Sequence, residues 1–192
     1  NLPFSRIFFV SLHSKKYKDM EKLFLLDAYA LIYRAYYGFI KNPRINSRGE
    51  NTSAVLGFVN TLEEILHKEN PQYIGVAFDP HGPTFRHDAF PDYKAQREET
   101  PEGIRFAVPI IKDILKAYRI PVLEAPGYEA DDVIGTLAKQ SESIDGIDTY
   151  MMTPDKDYGQ LVGKNVKIYK PRFDGGFDII GEKEVIGKYN IN

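Results

Sequence analysis

Cysteine and tryptophan are both absent from the 192 residues, and methionine occurs three times. Without cysteine there is no disulfide framework and no thiolate-metal site, a composition that suits a reducing cytoplasm. No apolar run reaches the roughly 18 residues that a membrane-spanning helix needs. Neither sign of charge dominates: 25 basic side chains against 27 acidic ones leave a formal net charge of −2. That balance gives no overall basic signature for nucleic acid, although a concentrated acidic site can coexist with a basic rim. Histidine is scarce as well. His13, His67, His81 and His87 lack metal-ligand spacing and read as surface or loop residues. Repeats and low-complexity tracts are missing.

What is present is enough apolar material for one core. Hydrophobic residues make up 43% of the chain, with 13 Tyr and 12 Phe, and the length fits a single domain. Residues 1–19 stand apart. Their short apolar run, Ile7 to Leu12, has only Arg6 before it, and no small-residue cleavage site follows, so it is not a secretory signal. We read 1–19 as an appended or upstream leader without functional content. Met20 then looks like a natural start, and 20–192 is the expected domain.

Lys22 to Asp27 and Tyr73 to Phe78 are short apolar runs fit for buried strands, each followed or ended by a carboxylate. Helices are expected over Ala28–Phe39, over a segment capped by Ser53 and running to Lys68, and over Pro101–Tyr118, where Pro109 should kink or break the turn. The second of these carries an apolar stripe of Val55, Leu56, Val59, Leu62, Ile65 and Leu66. Between Phe78 and Pro101 lies a long polar connection, residues 80–101, of the kind that is usually functional or mobile. Further strands are expected at Ile120–Glu124, Ile147–Met152, Asn165–Lys170 and Gly176–Ile180. A helix should open near Glu129 and run to about Ser143, and a last one should cover Glu182–Tyr189. Strands alternating with helices argue an α/β fold with a central, mostly parallel sheet.

The acids carry the chemistry. Glu129, Asp131 and Asp132 fall within four positions at the mouth of the predicted helix, and 129 and 132 share a face. Taken alone, an acidic first turn that complements the helix dipole is the better reading. Asp27, Asp79 and Asp155, however, all end predicted strands, and parallel sheets build their sites beyond those ends. Four elements converging on one edge exceed what capping explains. An all-carboxylate site suits hard cations, Mg²⁺ or Mn²⁺ before Zn²⁺, and two such ions can support phosphodiester cleavage. Asp157 is a further candidate, although Asp155-Lys156-Asp157 would also serve as a plain helix start. Basic and aromatic groups that could meet a polyanion are at hand in Arg34, Phe85-Arg86 and Tyr93-Lys94 with Arg97.

These residues resemble a known family. From Lys22 onward the chain is similar to the N-terminal 5′-nuclease domain of bacterial DNA polymerase I, a relative of phage 5′ nucleases and flap endonucleases with a PIN-like fold. The shared motifs are Leu-Leu-Asp27 followed by Tyr33-Arg34, Phe78-Asp79, Phe85-Arg86, Tyr93-Lys94 with Arg97, Gly127-Tyr128-Glu129-Ala130-Asp131-Asp132 and Thr153-Pro154-Asp155-Lys156-Asp157. The resemblance implies metal-dependent hydrolysis of DNA or RNA from 5′ ends and flaps, RNA primer–DNA hybrids included, in replication and repair. It implies a polymerase domain in the same longer chain and a bacterial cytoplasmic setting; nothing in the residues suggests an obligate assembly, and a monomer is expected. Asp27, Asp79, Glu129, Asp131, Asp132, Asp155 and Asp157 become metal-site acids, with Asp27 and Asp79 central to catalysis. Lys94 becomes the aid to the scissile phosphate, with Arg97 beside it. Arg34 and Arg86 become phosphate contacts; Tyr33, Phe85 and Tyr93 become substrate contacts. The connection at 80–101 corresponds to the arch around the single strand.

The family's pattern continues with a Gly-Asp-x-x-Asp segment and a helix–three-turn–helix element, neither of which occurs before Asn192. The expectation is therefore an incomplete two-ion site and weak or no nuclease activity in these residues. Two other readings compete: a stand-alone PIN-type ribonuclease, and a non-catalytic DNA-binding module. A phosphoryl-accepting receiver domain is disfavoured because Ala28 and Tyr29 follow Asp27, where adjacent acids are needed.

Overall fold

A computed structural model describes residues 20–90, 92–96, 99–172 and 174–189. The leader reading and Arg97 lie outside the described residues. The first strand, β1 (Glu21–Asp27), is the centre of a six-stranded sheet. It pairs in parallel with β2 (Tyr73–Ala77) on one side and β4 (Ile147–Met152) on the other. Beyond β2 lies β3 (Val122–Leu123); beyond β4 lies β5 (Val166–Pro171), also parallel, and then β6 (Phe177–Ile180), the one antiparallel strand. The expected α/β class with a mostly parallel sheet is what forms.

Side chains alternate along β1, and the two faces of the sheet follow from that. Phe24 and Leu26 face a core shared with α1 (Ala28–Gly38), α2 (Ser53–Lys68) and α4 (Glu102–Ala117). Leu23 and Leu25 face a second core built with α5 (Ala130–Ser141). The chain also contains α3 (Phe85–Ala89), a 3₁₀ turn at Lys156–Leu161, and α6 (Glu182–Tyr189). Gly57 lets α1 and α2 approach closely: a Cβ there would stand 2.6 Å from the Ala35 Cβ.

Several local expectations are corrected. Ser53 does not cap α2; Thr52 holds that position, while the buried Ser53 Oγ accepts from the Arg44 N–H at 2.8 Å. The buried face of α2 is Ala54, Phe58, Leu62 and Ile65, and Leu56 points outward, because Phe58 sets the side that meets the sheet. Pro109 sits on the exposed face of α4 without ending it. Burial of Ile104, Ala107, Ile111 and Leu115 outweighs the roughly 3 kcal/mol that an internal proline costs. Strand β3 keeps only two of five expected residues, since it is an edge strand paired on one side. The connection 80–101 is not wholly irregular: it holds α3, started by His87 Nδ1 accepting from the Thr84 N–H. The acidic helix stops at Ser141.

The sheet order decides where a site can form. From β1 the chain steps outward through β2 to β3, then returns to the other side of β1 as β4. That reversal is a topological switch point, where a crevice opens at the carboxyl ends of the strands.

Candidate functional site

Asp27 is the last residue of β1, Asp79 follows β2 by two positions, and Asp155 follows β4 by three. The switch therefore gathers three acids from distant parts of the chain at one edge. Glu129, Asp131 and Asp132 come from the start of α5, which is entered through a turn at Gly127 with φ +81°, a conformation glycine adopts without strain. A cavity of about 830 Å³ is lined by Asp27, Asp79, Glu129, Asp131 and Asp155 together with Tyr33 and Lys94. A second one, about 860 Å³, is lined by Arg86, Tyr93, Asp132 and Asp157, and shares Glu129, Asp131 and Asp155 with the first.

Each acid is already engaged. Asp27 Oδ1 accepts from the Ala30 N–H at 3.0 Å and so caps α1, while Oδ2 accepts from the buried Thr153 hydroxyl at 3.3 Å. Asp79 Oδ1 accepts from the Ala130 N–H at 2.8 Å, bringing β2 to the first turn of α5. Asp132 Oδ2 accepts from the Glu129 N–H at 2.9 Å. The same Asp132 receives both Arg86 Nη atoms, at 2.6 and 2.8 Å. Glu129 is 6% exposed and accepts from Lys94 Nζ at 2.7 Å and from the Tyr93 hydroxyl at 3.1 Å. Asp131 Oδ1 accepts from the Tyr158 hydroxyl at 2.6 Å. Asp155 Oδ1 accepts from the Asp157 N–H at 2.9 Å, starting the 3₁₀ turn.

Electrostatics divides these acids into two groups. Burial, followed by the nearby Asp131 and Asp79, pushes the Asp27 carboxyl up to about 6. Burial also raises Asp131, with Asp79, Asp155 and Glu129 adding repulsion. The Arg86 guanidinium holds Asp132 below the usual carboxylate range. Burial pushes Glu129 up, but Lys94, Tyr93 and Arg86 together outweigh it and the net direction is down. One half of the cluster is thus short of positive charge, and the other half is neutralised from within.

As placed, no group of three or more acids among the described residues is arranged to hold an ion. The reason is the set of partners just given: Glu129 and Asp132 turn to cations, and Asp27 and Asp79 turn to helix starts. The donor chemistry nevertheless fits a hard divalent cation, because it is all oxygen and because burial, together with repulsion between the acids, leaves the Asp27 and Asp131 charges short of compensation.

Not every expected contact joins the cluster. Arg34 donates to the Arg172 carbonyl and lines neither cavity. Phe85 is half-exposed and faces Tyr128, ring centres 5.5 Å apart, outside both cavities. Asp157 lines the second cavity as an exposed residue. Two residues without an assigned role from sequence belong to the site, Thr153 and Tyr158. The first was visible as part of Thr-Pro-Asp; the second lies three positions after Asp155, a spacing that counts only once a 3₁₀ turn is known.

Residues 22–190 match the family described as the 5′-3′ exonuclease, N-terminal resolvase-like domain. The chain belongs to this family. It is 39% identical over 172 residues to a 5′-3′ exonuclease of Aquifex aeolicus, covering 90% of this chain and 57% of that one. Against DNA polymerase I of Treponema pallidum it is 41% identical over 157 residues, which is 82% of this chain and 16% of the polymerase. The chain thus spans little more than half of the first relative and a small part of the second. Its fold is shared with the bacteriophage T5 flap endonuclease solved as a pseudo-enzyme-product complex with DNA and metal ions. There the TM-score is 0.63 at 17% identity, over 89% of this chain and 61% of that one.

Proposed function

We propose that this chain is a metal-dependent 5′-nuclease domain that hydrolyses phosphodiesters in DNA at 5′ ends and flaps. The observation that carries this is the cavity where Asp27, Asp79, Glu129, Asp131 and Asp155 meet Lys94 at the switch point of the sheet. The names of the relatives and the DNA and metal ions of the T5 complex support the same reading. Asp27, Asp79, Asp131 and Asp155 would hold the cation, with Glu129, Asp132 and Asp157 at its edge. We take the cation to be Mg²⁺, with Mn²⁺ as substitute. When bound, it supplies Lewis-acid charge against the negative charge that builds on the phosphoryl oxygens during hydrolysis.

The protein's own groups do the rest. Lys94 and Arg86 neutralise phosphate oxygens, exchanging their carboxylate partners for substrate. Arg97 is proposed, from its place in the sequence motif alone, as a further phosphate contact. Tyr33, at the wall of the acidic cavity, and Tyr93, whose hydroxyl donates to Glu129, are the proposed faces for unpaired bases. Arg34 and Phe85 contact the strand farther out. RNA primer–DNA hybrids are proposed as further substrates, and a polymerase domain as partner in a longer bacterial cytoplasmic chain. The domain is proposed to span 20–192 and to act as a monomer.

Crystals soaked in Mn²⁺ and measured for anomalous scattering test the reading. Peaks among Asp27, Asp79, Asp131 and Asp155 are expected. Their absence at millimolar Mn²⁺, or peaks elsewhere only, would overturn it.

A further inference from the structure

Asp131 differs from its neighbours in the kind of partner it has. Glu129 and Asp132 are met by an ammonium and a guanidinium, which carry full positive charge and must leave before a cation can use those acids. The partner of Asp131 is a neutral phenol, which orients a carboxylate without cancelling its charge. Tyr158 is well placed for this. It is 4% exposed and its ring belongs to the apolar core that includes Val133, Ile134 and Leu137, so the hydroxyl has a fixed position. Its oxygen lies 2.6 Å from Asp131 Oδ1, across 27 residues of sequence. No other hydrogen bond to the Asp131 side chain occurs among the described residues. Asp131 itself lies on the wall of both cavities.

We propose that Tyr158 is a positioning residue: it clamps Asp131 through Oδ1 and leaves Oδ2 as the oxygen that ligates the divalent cation. The inference rests on the proposed metal-dependent reading and names a group that reading does not use. A side chain on the first turn of α5 can otherwise swing about two torsions. Fixing one oxygen removes that freedom before the ion arrives, and the ordering cost no longer falls on binding. The 3₁₀ turn that starts at Asp155 thereby contributes twice, with its own carboxylate and with the clamp on Asp131.

Tyr158→Phe keeps the ring and its packing and removes only the hydroxyl. Mn²⁺ binding to the 192-residue chain, followed by the electron paramagnetic resonance signal of free Mn²⁺, is the readout. Thermal melting in EDTA and in Mn²⁺ accompanies it. The expected result is an ion affinity about ten- to a hundred-fold weaker. The melting temperature in EDTA should stay close to that of the unaltered chain, and the rise produced by Mn²⁺ should shrink. An affinity within about twofold of the unaltered chain would overturn the role of Tyr158 alone. A fall in EDTA melting with unchanged Mn²⁺ affinity would do the same, showing a purely structural hydroxyl. Failure of the unaltered chain to take up Mn²⁺ would overturn both the clamp and the nuclease reading.

Discussion

Lys94 and Glu129, 35 residues apart in sequence, form a 2.7 Å ion pair that fastens the 80–101 connection to the start of α5. Lys94 adopts φ +58° to reach it, a left-handed conformation uncommon for a side chain with a Cβ. Glu129 itself is almost fully buried, so the pair is held away from bulk water. If Lys94 meets phosphate during function, Lys94→Ala should weaken binding of a 5′-tailed oligonucleotide. The slope of log affinity against log salt should fall by about one. An unchanged slope in a salt titration would place Lys94 outside the phosphate contacts.

Arg86 grips Asp132 through two parallel hydrogen bonds, and a lysine cannot reproduce that fork. Arg86→Ala should lower stability by about 1–3 kcal/mol, because a half-buried carboxylate loses two charged donors. Arg86→Lys should recover only part of it. Urea denaturation of both variants checks the order; equal stability of the lysine variant and the unaltered chain would contradict it.

Asp27 gives the protein a pH signature in ion-free buffer. Its carboxyl is raised from 3.8 to about 6 in the folded state, so the folded protein holds that proton more tightly than the unfolded chain. The contribution of Asp27 to stability therefore declines as pH rises from about 3.8 to about 6, and is flat above. Asp27→Asn removes the titration and keeps an oxygen for the Ala30 N–H. The variant should match the unaltered chain near pH 4 and exceed it by up to roughly 3 kcal/mol at pH 7 to 8. Melting curves across that range would show a pH-independent difference if burial of this charge were not the cause.

Asp79 does two jobs that substitutions can separate. Its Oδ1 accepts from the Ala130 N–H at 2.8 Å, which an asparagine oxygen can also do. Asp79→Ala should cost about 1 kcal/mol in the absence of ions, as helix-cap removal does, while Asp79→Asn should cost little. Both should weaken Mn²⁺ binding. Calorimetric titration alongside denaturation distinguishes the two effects, and equal stability of the two variants would remove the capping role.

Gly57→Ala is the packing test. The added methyl would meet the Ala35 Cβ at 2.6 Å, so α1 and α2 must move apart. A loss of about 1–3 kcal/mol is expected, typical of overpacking. Because α1 begins at the Asp27 cap, ion affinity should fall as well. A thermal shift of less than a degree would mean that the helices accommodate the methyl.

The strands and the acids at their ends were legible in the order of residues alone. The runs at 22–27 and 73–78 are short and almost wholly apolar, as buried parallel strands must be, 147–152 is bounded in the same way, and a carboxylate ends or follows each within three residues. Helix α6 fell where its pattern put it, at Glu182–Tyr189. What failed was local and explicable: Ser53 has the chemistry of a cap but is taken by Arg44, and Pro109 looks like a break but lies on the exposed side of a well-buried helix. The cluster of acids was legible; their partners were not. Arg86 reaches across 46 residues to Asp132, Lys94 across 35 to Glu129, and Tyr158 across 27 to Asp131. These pairings arise from a connection and a 3₁₀ turn without hydrophobic periodicity, and no spacing rule reads them. Only the sheet order, which returns β4 to the side of β1, brings those groups within reach. Tertiary structure therefore decided which acids are neutralised from within and which are left short of positive charge.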